Sequence, residues 1–143
     1  MAVHLDHTIV PAYDKRTSAA FLAHILGLQV GPDLSGYFVP VALSGGPTLD
    51  FMDAEDFRRH HYAFLVSDQE FDAAHARLVA GGIEYCADPF ARRPREISYT
   101  ADGGRGVYFD DPNQHSMELL TLPDTGDPNE ERWAGPYQPA SQK

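Results

Sequence analysis

Cysteine is nearly absent: Cys86 is the one thiol in 143 residues. No disulfide can form within the chain, so its stability must come from packing. Cations are also scarce. Eleven Lys and Arg stand against 21 Asp and Glu, giving a net charge of −10 and a pI of about 4.9. That balance excludes a general nucleic-acid or anionic-membrane binder, because phosphate neutralisation needs clustered positive charge. No apolar run approaches the ~18 residues of a membrane span. No basic segment followed by an apolar stretch comes after Met1-Ala2, so no secretion signal is expected, and a cytoplasmic location is the default.

What the chain does have is a repeated pattern. Leu5–Val10 alternates as a strand, and a helix is expected from about Asp14 to Leu26, stopped by Gly27. Strands are then expected near Leu28–Val30, Tyr37–Leu43 and Thr48–Met52, with Gly45-Gly46-Pro47 turning between the last two. The pattern restarts at His61–Val66. Ser67 and Glu70 form a capping-box signature, and Phe71, Ala74, His75 and Leu78 make a helical stripe ended by Gly81-Gly82. Ile83–Ala87, Gly106–Asp110 and Ser116–Thr121 follow as strands, with Asp111-Pro112-Asn113-Gln114 as the hairpin turn. Residues 1–122 thus read as one α+β domain of two strand-helix-strand-strand-strand modules, about 4–53 and about 60–122. The segment 88–104 is expected to be irregular, and 123–143 an extended acidic, Pro-rich tail pinned by Trp133 and Tyr137.

The repeat nominates a site. His7 and His61 open the two modules, and Glu118 lies near the end of the second. Each alternates with apolar residues: His7 with Leu5 and Ile9, His61 with Ala63 and Leu65, Glu118 with Leu120. All three are expected to look inward. Two imidazoles and one carboxylate suit Fe(II), Mn(II), Zn(II) or Ni(II) and leave coordination positions open. Aligning Thr48-Leu49-Asp50-Phe51 with Ser116-Met117-Glu118-Leu119 adds Asp50, read as a fourth ligand, a general base, or an ion-pair partner. Tyr108 is placed to donate a hydrogen bond to a bound oxygen, unless it is an ordinary strand tyrosine. Among Arg92, Arg93, Arg95 and Arg105, the best candidates for clamping an anionic substrate are Arg105 and Arg95; otherwise these cations balance an acidic body. His115 is expected to close the turn and to support Glu118.

His7-Thr8-Ile9-Val10, His61-Tyr62-Ala63-Phe64, and Val107-Tyr108-Phe109-Asp110-Asp111-Pro112-Asn113-Gln114-His115 ahead of Glu118 together resemble the vicinal oxygen chelate superfamily. This group takes in glyoxalase I, extradiol dioxygenases, fosfomycin-resistance thiol transferases and bleomycin-resistance proteins. The resemblance covers roughly residues 4–122. It implies paired βαβββ modules whose mixed sheets curl into a half-barrel cleft, and a homodimer, in some members with ligands from both subunits. Gln114 departs from the family's Asp-Pro-x-Gly-His turn, and Asn113 is expected to supply the left-handed residue instead. The implied function is a metal-dependent enzyme acting on a small molecule with neighbouring oxygens. Lyase or thiol-transfer chemistry leads, extradiol-type ring cleavage follows, and a non-catalytic drug- or metabolite-sequestering protein is the alternative of another class.

Overall fold

The structure is a computed structural model that describes residues 2–33 and 35–124. The tail expectation for 125–143, with Trp133 and Tyr137, lies outside the described residues. The order is β1 (His7–Ala12), α1 (Lys15–Leu26), β2 (Phe38–Ala42), β3 (Thr48–Asp53), β4 (His61–Leu65), α2 (Asp68–Ala80), β5 (Tyr85–Cys86), β6 (Ser98–Tyr99), β7 (Arg105–Asp110) and β8 (Ser116–Leu120). These form two mixed sheets in an α+β arrangement. One has strand order β1-β3-β2, the other β4-β8-β7-β5, with β6 also paired to β7.

The helices begin and end where the local chemistry dictates. The Asp14 carboxylate accepts from the Arg16 and Thr17 amides at 3.0 Å each, satisfying donors that have no partner inside the helix. Ser67 and Glu70 close the capping box, each accepting from the other's backbone amide. Gly27 ends α1 in the left-handed conformation, φ 70°, which glycine adopts without a Cβ clash. Arg77 on α2 then donates to the Ile25 carbonyl at 3.1 Å, so one helix caps the other.

The core lies between the helices and one face of each sheet. Leu22, Ile25, Phe71 and Leu78 from the helices meet Val10, Val41, Phe51, Val107, Met117 and Leu119 from the strands, all fully buried. Strand alternation sends the other residues to the opposite face. That second face carries His7, Ile9, His61, Ala63 and Leu65, all exposed. The strand periodicity was legible, but the buried side was not. His7 and His61 look away from the helical core, and the apolar neighbours on their face are open rather than packed.

Two expected elements differ. Leu28–Val30 contributes a single bridge, Val30 to Val41, rather than a strand. Gly31 donates to the Pro40 carbonyl at 2.8 Å, but Pro40 has no N–H to return, so the ladder cannot continue. Conversely, the segment 88–104 contains the short strand β6. It is organised around buried Asp88, whose carboxylate accepts from the Phe90, Arg92 and Arg93 amides.

The turn before β8 joins the modules. Asp111 accepts from the Asn113 and His115 amides. Asn113 Oδ1 accepts from the Tyr13 amide at 2.8 Å, and its Nδ2 donates to Ser18 at 2.9 Å. His115, wholly buried, accepts from the His60 amide at Nδ1 (2.8 Å), and its Nε2–H donates to the Pro11 carbonyl at 2.7 Å. An amide can only donate, so these two bonds fix one neutral tautomer. His115 therefore ties β1 to β4 rather than supporting Glu118 by direct contact. Gln114 itself takes the left-handed conformation, φ 66°, and not Asn113. A side chain there costs roughly 1–2 kcal/mol.

Two substitutions in this turn should move stability in opposite directions. Asn113→Ala leaves the Tyr13 amide and Ser18 without their buried partner and should destabilise by about 2–3 kcal/mol. Gln114→Gly should stabilise by up to about 1 kcal/mol, since glycine's greater freedom in the unfolded chain offsets part of the relief. Urea unfolding midpoints measure both; a turn that tolerates Asn113→Ala unchanged would refute its bridging role.

Candidate metal centre

The repeat survives down to strand register. β1 pairs in parallel with β3, placing His7 opposite Thr48 and Ile9 opposite Asp50. β4 pairs in parallel with β8, placing His61 opposite Ser116 and Ala63 opposite Glu118. In both modules the histidine faces the hydroxyl residue two positions before the acid. The two pairs are thus equivalent in backbone placement and differ in their side chains.

In module two the longer acid reaches its histidine. Nε2 of His61 lies 3.1 Å from Oε1 of Glu118. The Glu118 side chain is only 8% exposed, while His61 is about half exposed. A carboxylate that far from water needs compensating partners, and the His61 imidazole is one of them. Two ligands bound at about 2.1 Å to one ion, at right angles, stand about 3 Å apart. The imidazole–carboxylate pair therefore fits a divalent metal in donor type and in spacing.

In module one the acid is a methylene shorter. Asp50 is half-buried on the same face as His7, but Nδ1 of His7 is bonded to the Asp6 carboxylate at 2.7 Å. That hydrogen bond, then the Asp6 charge and more weakly the Asp50 charge, raises the His7 pKa against a small opposing effect of burial. Among the described residues, no three His, Cys, Asp or Glu side chains gather closely enough to hold one ion. The structure brings His61 and Glu118 together and leaves His7 and Asp50 on the other sheet.

Tyr108 is the cross-strand neighbour of Glu118, and Cys86 is the neighbour of Tyr108. All three share the face of the sheet turned away from the helices. The Tyr108 ring lies 6.1 Å from the His61 ring, nearly parallel to it. A cavity of about 530 Å³ is lined by Tyr108, Ser116, Cys86, Phe90, Arg59 and Asp110, with neither His61 nor Glu118 in its wall. Arg59 is bonded to Asp110 at 2.6 Å. Cys86 reads in the sequence as a small packing side chain of the expected strand Ile83–Ala87; only Tyr85–Cys86 pairs there, too short for alternation to show which face the thiol takes.

The arginines are placed differently from one another. Arg105 alternates with Val107 and Phe109, so it points to the helical side. It bonds Asp68 at 3.0 Å and Asp72 at 2.7 Å, and lies over the Phe71 ring. It fastens β7 to α2, on the face opposite Glu118. Arg95 is exposed, has a left-handed backbone (φ 61°), and lines a second cavity of about 470 Å³ with Val79 and Tyr85.

Similarity to solved structures gives the class. The chain is 51% identical to Oxidase ChaP-H2 with a TM-score of 0.83, the match covering 87% of this chain and 98% of that one. It is 50% identical to Oxidase ChaP-H1, TM-score 0.80, covering 87% and 100%. A glyoxalase/dioxygenase from Nostoc punctiforme matches at 25% identity and TM-score 0.62, covering 84% and 91%. No protein-family model matches, and neither does any curated protein sequence. The chain belongs to the vicinal oxygen chelate superfamily. Its fold is the glyoxalase-like α+β fold that the resemblance implied.

Cys86 provides a check on the cavity wall. Burial pushes its thiol pKa up, and the nearby carboxylates of Asp88, Glu84 and Asp110 push it further. Less thiolate exists near neutrality than in a free cysteine. Alkylation by iodoacetamide should be slow at pH 7 and keep accelerating at pH values where a free thiol has levelled off. A fast reaction at pH 7 would place Cys86 outside this acidic wall.

Proposed function

We propose that this chain is a metal-dependent oxidative enzyme acting on a small molecule as a homodimer, with His7 of one copy completing the His61–Glu118 pair of the other. One observation carries this reading. The ligands nominated by the repeat fall into two half-sites, on the faces of two separate sheets turned away from the helices. Each half-site is incomplete alone, and a two-fold pairing of identical chains supplies each with the other. Exposed Ile9 and Leu65 on those same faces, with exposed Leu5 just before β1, support burial against a second copy.

A bound Fe, Mn, Zn or Ni ion would act as a Lewis acid toward neighbouring oxygens and, if iron or manganese, would also support redox chemistry. The chain's own groups surround that position. Glu118 and the two imidazoles hold the ion. Tyr108 carries a hydroxyl on the same face, placed to donate a hydrogen bond to a substrate oxygen. Phe90 and Tyr108 give the cavity apolar and aromatic wall. Oxidative chemistry now leads over lyase or thiol transfer for two reasons. The relatives that match most of the chain at half identity carry oxidase names. The arginine favoured as an anion clamp, Arg105, is occupied on the helical face.

A heterodimer tests the reading. His7→Ala and Glu118→Ala homodimers should each lose their metal. A heterodimer of one His7→Ala chain and one Glu118→Ala chain, purified through two different tags, should regain about one ion per dimer, because one of its two shared sites is intact. Elemental mass spectrometry counts the ions. A heterodimer with no metal would mean that each site lies within one chain. A wild-type protein that takes up none of the four ions would favour a sequestering protein instead.

A further inference from the structure

We propose that Asp6 is a positioning residue for His7: its carboxylate keeps the imidazole proton on Nδ1, so that Nε2 presents its lone pair to the metal. This rests on the metal reading above and goes beyond the three ligands. The geometry is direct, with Asp6 Oδ2 at 2.7 Å from Nδ1. A carboxylate can only accept, so the proton resides on Nδ1 whenever the ring is neutral. A free imidazole in water prefers the other tautomer, with the proton on Nε2, and that form must rearrange before Nε2 can bind an ion. Carboxylate–histidine–metal relays remove this step and increase the basicity of the ligating nitrogen.

The internal repeat shows why module one has this device. His61 turns Nε2 toward Glu118 within its own module. His7 lies opposite Thr48, with the shorter Asp50 two residues further along β3, and the carboxylate bonded to it is that of Asp6. The position equivalent to Asp6 in module two is His60, whose Nδ1 is bonded to the Tyr62 hydroxyl at 2.8 Å. The asymmetry fits a shared site in which the histidine from the other copy arrives without a metal-ligating acid from its own module. The two contacts differ in sense: Glu118 meets Nε2 of His61 directly, whereas Asp6 meets Nδ1 of His7 and leaves Nε2 as the outward nitrogen. Both Asp6 and His7 are exposed in the single chain, so the role concerns ligand readiness and not the stability of the fold.

The test uses the full chain as wild type, Asp6→Ala and Asp6→Asn. Long-range proton–nitrogen NMR on the metal-free protein reads the tautomer of His7, with the resonance assigned by its absence in His7→Gln. The wild type should show Nδ1–H, and Asp6→Ala should shift toward Nε2–H. Competitive titration with Zn(II) should show about 10–100-fold weaker binding in Asp6→Ala. Asp6→Asn keeps an acceptor oxygen and should recover part of both. If Asp6→Ala keeps the wild-type tautomer and affinity while both proteins bind Zn(II), the positioning role is overturned and the metal site stands. If the wild type binds neither Zn(II), Mn(II), Fe(II) nor Ni(II), the metal reading falls and the role of Asp6 falls with it.

Discussion

One buried imidazole holds the two halves of this molecule in relation to each other. His115 accepts from the backbone entering β4 and donates to the backbone near the end of β1. The same turn, through Asn113, grips the start of α1 and leads into β8. The strands that carry His7, His61 and Glu118 all hang from it. Side chain-to-backbone bonds in a dry junction are well suited to this task, since leaving either partner unmatched there is costly. The helix pair adds a second tie, through Arg77 and the C-terminus of α1. Between these two ties the sheets stay separate, each with one face packed on the helices and the other turned away from them.

That division gives the sequence pattern its meaning. Apolar residues alternate on both faces of β1 and β4, because one face packs on the helices and the other carries Ile9, Ala63 and Leu65 beside the ligands. A strand with a single buried face would have shown polar residues on its other side. The two-faced pattern is what a sheet shows when its second face also has something to meet.

Much of the fold was legible from local chemistry. The capping box of α2, the glycine stop of α1 and the doubled strand order are signals written within a few residues. The equivalence of Thr48-Leu49-Asp50 and Ser116-Met117-Glu118 was legible as well, and the structure preserves it in register. What could not be read was anything set by the third dimension. Arg105 sits next to a site strand in sequence, yet strand parity turns it to α2. His7 and Glu118 look like partners in the repeat, yet they lie on different sheets of one chain. Asp6 had no signal beyond adjacency to His7. Gln114 shows that a left-handed position need not carry the residue that tolerates it best, when Asn113 is already committed to Ser18 and Tyr13.

The parallel pairing of first and last strands has a consequence for how the chain acquires its shape. β1 cannot be held until β3 has been made, and β4 waits in the same way for β8. Each module is therefore a long closed loop whose entropy must be overcome before its opening strand is fixed, and such non-local pairing slows folding. On a ribosome the first module can close while the second is still being synthesised. Its completion still lacks the His115 tie, which arrives only with the final hairpin. The strand that carries His7 is thus the first element to be translated and among the last to be locked.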